Sequence, residues 1–375
     1  MAPPQPHRAL RPLVRLLVEV RRRRPGVAMV TGHHNLNYIV ALGTPLAWLL
    51  GEESGQVRAK FRFPYETVEV VPRIWRSESE VLRAVSNRLS DVPRCIHDFG
   101  TWSVHAFLEG CSLAEEAPVG EPVGTERLAA FAEFFARVAD IPESELPRRP
   151  DNWPEDGDSA GFLRWLADFA DGVHHRNLAR FGELFDAVGV PSDAVGRFMD
   201  SVPDLAERPF ALLHTDVHRA NVVVTRQADN EYLSVIDWEL AMYGDPLHDL
   251  ATHLIRMDYD VDEYAEMIHL WKEAMCRSGH AEMTEDMERD LPVYIDFEYV
   301  QSVFPDVMRA ALGLPAEPGH EDFARAARSV CRAMTRAWKL LMMEDAPVDE
   351  HTAEEALRAW HAADRAGRME LQHGG

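Results

Sequence analysis

One stretch constrains this chain more than any other: Leu213-His214-Thr215-Asp216-Val217-His218-Arg219-Ala220-Asn221-Val222-Val223-Val224. An apolar lead-in meets a polar cluster, and a β-branched run follows at once. Sixteen residues after Asn221, Asp237 lies in a second β-rich segment, Val235-Ile236-Asp237-Trp238-Glu239. Two strands joined by a tight turn near 227–230 place Asn221 and Asp237 side by side. A turn cap would explain either Asp alone. Two carboxylates and an amide on one hairpin, with helical patterns on both sides, point to a site.

At 375 residues, with 46% hydrophobic and 27% charged side chains, the chain is long and apolar enough for one large domain or two ordinary ones. The net charge of −23 argues against nonspecific nucleic-acid binding and suits a cationic ligand or a well-solvated surface. Cys95, Cys111, Cys276 and Cys331 form no CxxC pair, which indicates neither a zinc site nor a disulfide scaffold. A reducing, cytoplasmic location fits. No apolar run reaches the roughly 18 residues of a membrane helix, and no signal peptide is legible, so no membrane partner is expected.

Leu10, Leu13, Leu16, Leu17 and Val20 recur at helical spacing, and Arg21 to Arg24 place positive charge at the helix end. This reads as a first helix packed on the core, although a basic amphipathic helix also suits a membrane surface. Residues 26–62 read as strands (27–31, 38–42 and 56–63), with a turn over Gly32 to Asn37. Lys60 lies inside the third strand, where lysine is disfavoured and needs a reason. A helix spans 77–89, with Ser77 as its N-cap and Glu78 and Glu80 in its first turn. Short strands follow over 95–100 and 102–107.

Beyond a connector at 107–110, helical patterns dominate: 126–140, 160–171, 176–188, 193–200, then 249–255, 261–277, 283–294, 297–312, 320–343 and 349–368. The expected organisation is an N-terminal helical extension (1–24), a β-rich lobe (25–107) and a larger helical lobe (108–375) holding the hairpin. Phe162, Trp165 and Phe169 form a stripe that reads as helix core, as do Trp271, Trp338 and Trp360. His33-His34 and His174-His175 read as solvated. The HxxxH spacing of His214 and His218 is no zinc motif, because a β-branched run follows and no third ligand is evident.

Phosphoryl transfer needs a carboxylate to orient and deprotonate a hydroxyl, and oxygen ligands for Mg²⁺. Asp216 suits the first task; Asn221 and Asp237 suit the second. These segments, with Gly244-Asp245-Pro246-Leu247-His248-Asp249-Leu250-Ala251, resemble the motifs of the aminoglycoside phosphotransferase and choline kinase group. That resemblance spans roughly 25–345 and implies an α+β, bilobal, protein-kinase-like fold. It implies ATP or GTP and Mg²⁺ as cofactors, a small-molecule hydroxyl acceptor, and a monomer or homodimer. Carried over, Asp216 is the base, Asn221 and Asp237 hold metal, and His214, Asp245 and Asp249 brace the loop. Lys60 is expected to reach the nucleotide phosphates, held by Glu78 or by Glu80. The Gly32–Asn37 turn, with Asn35 or Asn37 as donor, would cover the phosphates, and the backbone from His105 through Phe107 to Glu109 would meet the purine edge. Trp238 stands where protein kinases carry the Phe of Asp-Phe-Gly, which favours a small-molecule kinase.

The acceptor is expected near Asp258, Asp260, Asp262 and Glu263, or Asp296, Glu298 and Tyr299, whose carboxylates would suit ammonium groups. The expected activity is phosphorylation of an antibiotic of aminoglycoside-like or nucleoside type, giving resistance. The alternatives are a metabolic kinase for a sugar, amino alcohol or nucleoside, and a silent kinase-like binding module.

Overall fold

The computed structural model describes residues 11–22, 28–31, 35–50, 52, 58–64, 69–228 and 230–373. In chain order it begins with α1 (Arg11–Arg22), β1 (Ala28–Thr31), β2 (Asn35–Ala41), α2 (Gly43–Leu50), β3 (Arg58–Pro64), α3 (Glu78–Val85), β4 (Cys95–Asp98) and β5 (Ser103–Ala106). The five strands form one antiparallel sheet in the order β1-β2-β3-β5-β4. Because side chains alternate along a strand, β3 has two chemically distinct faces. Ala59 and Phe61 are fully buried in an apolar cluster with Val14 and Val18 of α1 and Leu46 and Leu50 of α2. Lys60 and Arg62 take the opposite face. Helix α2 was not expected: its short apolar run carries no amphipathic alternation to separate it from a strand.

β6 (Cys111–Ser112) and α4 (Leu113–Glu116) follow the connector, then α5 (Thr125–Ala139), α6 (Ser159–Ala187), α7 (Ala194–Met199), β7 (Ala211–Leu213), β8 (Val222–Gln227), β9 (Asn230–Val235) and β10 (Met242–Gly244). β8 and β9 form the expected hairpin, closed by the Gln227–Asn230 pair, with β6 on the outer edge of β8. The connector is pinned to it. A Cβ on Gly110 would stand 2.3 Å from the Val224 carbonyl oxygen, so this close approach requires glycine. Thr225 Oγ1 donates to the Glu109 carbonyl at 2.6 Å.

The remaining helices are α8 (Pro246–Met257), α9 (Val261–Arg277), α10 (Met287–Leu312), α11 (His320–Ala337) and α12 (Glu350–His373). The chain forms two compact units, 1–68 with 73–151 and 210–284, and 69–72 with 152–209 and 285–375. In the first, α5 packs on α9, burying Phe131 and Phe135 from one helix and Met267 and Trp271 from the other.

In the second unit α6 and α10 are each continuous where the sequence suggested breaks. Pro292 and Pro305 lie inside α10, so tertiary packing overrides local propensity there. His174 is buried, not solvated, stacked on Phe304 with ring centroids 4.6 Å apart. Arg208 and Asp290 form a fully buried ion pair at 2.6 Å, and the Ala206 amide donates to the same carboxylate oxygen. Phe162, Trp271, Trp338 and Trp360 are buried, Trp360 stacking on Phe181, whereas Trp165 and Phe169 of the same stripe are half-buried, stacked on each other with Trp153 tilted against Trp165.

Candidate active site

β7 delivers the chain to a loop whose conformation is fixed by hydrogen bonds. Thr215 has φ of 61°, an unfavourable value for a β-branched residue. The Asp249 carboxylate in α8 accepts the amides of His214 at 2.8 Å and Thr215 at 2.7 Å, and Thr215 Oγ1 donates to the Leu240 carbonyl at 2.8 Å. Together these bonds hold the strained residue in place. Asp245 caps α8 by accepting the Leu247 amide at 3.0 Å.

His214 is fully buried. The Asp216 amide donates to its Nδ1 at 3.2 Å, so Nε2 carries the proton and donates to the Ile236 carbonyl at 3.2 Å. Burial pushes its pKa down to about 4, consistent with this neutral tautomer. It therefore spans the loop that carries Asp216 and the strand end that presents Asp237. His218 accepts the Ala220 amide through Nδ1, which leaves its Nε2 proton facing Asp216 Oδ1 at 3.5 Å.

Asp216 is held from three sides. Arg256 forms a close ion pair with its Oδ1 and His218 faces the same oxygen, while Asn221 Nδ2 donates to Oδ2 at 2.9 Å. Burial alone would raise this carboxyl, but Arg256 and then His218 outweigh it and hold it below its usual range. Arg256 was missed in the sequence. Its signal is spacing: Asp249, His253 and Arg256 stand at i, i+4 and i+7 on α8, one stripe of the helix. Each touches the loop, Asp249 through the two amides, His253 through the Val217 carbonyl at 2.9 Å, and Arg256 through Asp216.

The Ile236 amide donates to the Asn221 carbonyl at 2.9 Å, which continues the hairpin ladder and sets Asp237 beside Asn221. Asp237 adopts a left-handed conformation, φ 72° and ψ 63°, which Asp tolerates better than most residues. Arg62 Nη2 lies 2.9 Å from its Oδ1. Burial would raise Asp237, but Arg62 and then Lys60 hold it at about 2.

Here the structure corrects the expected pairing. Glu78 of α3 is partnered by Arg62, not by Lys60, and Arg62 also reaches Glu239 at 3.4 Å. Lys60 makes no ion pair within 4 Å among the described residues. Burial and Arg62 lower its ammonium from the usual range, against Asp237, Glu78 and Glu239. The reason is period and reach: 60 and 62 share a face, and the forked guanidinium bridges three carboxylates where an ammonium cannot. Glu78 accepts the Trp238 amide at 3.0 Å, tying α3 to the strand end, whereas Glu80 has no such role. Burial, then Asp237, push Glu239 up to about 7.

The other expected site residues fall as follows. Asn35 and Asn37 belong to β2, opposite Pro64 and Arg62, not to a turn; 32–34 and both Asn side chains lie outside the described residues. His105 pairs with Lys60 in the sheet, with its ring buried 3.4 Å from Ser79 Oγ. The Phe107 amide already donates to the Arg58 carbonyl at 3.2 Å and the Ala106 amide to Arg94, so neither amide remains for a purine edge. Asp260 is the N-cap of α9, accepting the Asp262 and Glu263 amides, and Glu263 binds the amides of Val123 and Gly124 at 2.7 Å each. Asp258 is exposed at the end of α8. Glu298 belongs to the second unit, where Gln301 donates to it.

A protein-kinase-like arrangement is thus laid out: a sheet cation paired to a helix glutamate, a braced loop that presents Asp216, and a hairpin that juxtaposes an amide and a carboxylate. Residues 39–285 match the phosphotransferase enzyme family of aminoglycoside phosphotransferase type, and the chain belongs to that family. It is a small-molecule phosphotransferase. The fold is similar to that of an ethanolamine kinase from Plasmodium vivax (12% identity, TM-score 0.55, 86% of this chain and 84% of that one). It is also similar to choline kinase LicA from Streptococcus pneumoniae (12%, 0.52, 88% and 97%). A third similar structure is a putative aminoglycoside phosphotransferase from Ralstonia eutropha (14%, 0.51, 92% and 97%). No curated protein sequence matches the chain.

Proposed function

We propose that the chain transfers the γ-phosphate of ATP or GTP to a small-molecule hydroxyl, with Asp216 as general base. The observation that carries this reading is the state of the Asp216 carboxylate, kept ionised and oriented by Arg256, His218 and Asn221. A base must be ionised and aimed before the acceptor arrives. Asn221 and Asp237 fit a hard divalent cation. Asp237 is ionised, and Asn221 spends its amide nitrogen on Asp216, which leaves its carbonyl oxygen as a donor. These two residues would hold Mg²⁺, which supplies charge neutralisation at the phosphates. In this reading Arg62 and Lys60 supply the positive face for the nucleotide, and Glu78 fixes Arg62.

For the acceptor we propose an antibiotic hydroxyl, of aminoglycoside or nucleoside type, inactivated by phosphorylation. The alternative is a metabolic amino alcohol or sugar, since the similar structures include choline and ethanolamine kinases. Exposed Asp258 supports a cationic acceptor; Asp260 and Glu263, committed to backbone amides, lend it less. A phosphate-transfer screen of antibiotics, nucleosides, sugars and amino alcohols with ATP and GTP tests both readings. Turnover of an antibiotic and raised tolerance in an expressing host support the first. Turnover confined to choline, ethanolamine or a sugar supports the second, and no turnover of any acceptor defeats the assignment of Asp216.

A further inference from the structure

Helix α1 uses only half of its apolar surface. At about 100° per residue, Leu16, Val20, Leu13, Leu17, Val14 and Val18 fall along one continuous arc. Val14 and Val18 fill the sheet cluster and are at most 1% exposed. Leu13, Leu16 and Val20, along the other half, are 45%, 60% and 51% exposed. Helix α2, which packs against α1 and anchors in the same cluster, adds Trp48 at 77% exposure. Large apolar side chains gathered on two adjacent helices are not the scatter of an ordinary surface.

The sequence that contains α1 carries charge opposite in sign to that of the chain as a whole. Between residues 8 and 24 the sequence carries seven arginines against one glutamate, in a chain of net charge −23. Arg15 stands exposed on α1 itself. A helix with Leu and Val exposed, lying in an arginine-rich stretch of sequence and packed on a second helix that carries an exposed indole, has the composition of an interfacial helix. Arginines near the surface attract anionic headgroups within a Debye length, and the acidic remainder of the chain would be repelled by the same surface. No described helix is long and apolar enough to cross a membrane, so contact would be at the interface only.

We propose that α1, with Trp48, is a docking surface for anionic lipid headgroups, anchored to the sheet by Val14 and Val18. The test is cosedimentation of the full chain with vesicles of phosphatidylcholine alone and of phosphatidylcholine mixed with phosphatidylglycerol. Retention should be at least about tenfold greater on the anionic vesicles and should fall at high salt. Leu16→Glu combined with Val20→Glu should abolish it, and Arg15→Glu should weaken it. All three positions are exposed, so thermal unfolding should stay near wild type; if the double variant melts early, Trp48→Glu provides the same test from α2. Equal retention on both vesicle types, or retention unaffected by these substitutions, would overturn the proposal. So would a concentration-dependent dimer that Leu16→Glu dissolves, which would give the face to a second copy of the chain.

Discussion

Asp216 and Asp237 are the same residue type, the first buried and the second half-buried, both held ionised, yet they are secured by different parts of the chain. Two partners of Asp216, Asn221 and His218, lie within its own loop, and the third, Arg256, is 40 residues on, in the next α-helix. Those of Asp237 come from far away, Arg62 on the N-terminal sheet and, through the Trp238 amide, Glu78 on α3. The first carboxylate is a product of one loop and the helix behind it. The second exists in its observed setting only when the sheet is folded against the hairpin. Chemistry at the proposed base should therefore tolerate damage to the sheet better than the proposed metal and nucleotide binding does.

The largest effect that would sharpen this contrast is at the base. Asp216→Ala should lower turnover by about 10³-fold or more while nucleotide affinity stays within a few-fold, as measured by steady-state kinetics and calorimetry. Turnover near wild type would remove Asp216 from its role. Asp237→Ala should show the converse split, with Mg²⁺-dependent nucleotide binding lost; undiminished binding in the presence of Mg²⁺ would break the comparison.

The two strand cations come next. Arg62→Ala leaves Glu78, Asp237 and Glu239 without their shared partner, and should cost about 3–5 kcal/mol in denaturant unfolding, as a broken buried ion pair does. Lys60→Ala removes a desolvated ammonium with no ion pair among the described residues and should cost much less stability, its effect appearing in nucleotide affinity instead. Equal destabilisation by the two variants would contradict the pairing described above.

The smallest predicted effect concerns pH. Burial holds His253 at about 4, below the usual histidine range near 6.5, so the unfolded chain binds its proton more readily than the native one. Its contribution to stability is complete above about pH 6.5 and is lost as pH falls toward 4. His253→Gln removes that titration along with the bonds to Val217 and Tyr259. Its melting temperature should lie below wild type at pH 7, and the gap should narrow by pH 4.5. A gap that widens on acidification would refute the neutral state of this imidazole.

Asp216, Asn221 and Asp237 were legible because one hairpin brings them together: a β-branched run and a second segment ending in Val235-Ile236, joined near 227–230, fix their juxtaposition from local pattern alone. Lys60 stood out because a lysine inside an apolar strand is conspicuous, and Glu78 because it opens a helix behind Ser77, although the Ser77 hydroxyl donates to Asp98 and makes no capping bond. Arg62 was hidden by the same conspicuousness, since two cations on one strand face cannot be ranked until Glu78 and Asp237 approach. Arg256 was hidden among many arginines. Only with α8 seen behind the loop does its spacing from Asp249 and His253 acquire meaning. Asp260 and Glu263 looked like ligands for a cation because sequence does not show which backbone amides lack partners, and those amides are what the two carboxylates satisfy.

What the sequence determined by itself is therefore the β8–β9 hairpin, the loop before it and the class of chemistry they support, because neighbours within some twenty-five residues are set by local periodicity and turn geometry. The tertiary structure decided which cation serves which carboxylate, which amides of the 105–109 connector are already spent, and which half of α1 faces solvent. Those outcomes depend on side chains from distant segments competing for the same buried charge or the same apolar surface, and that competition is resolved only when the segments meet.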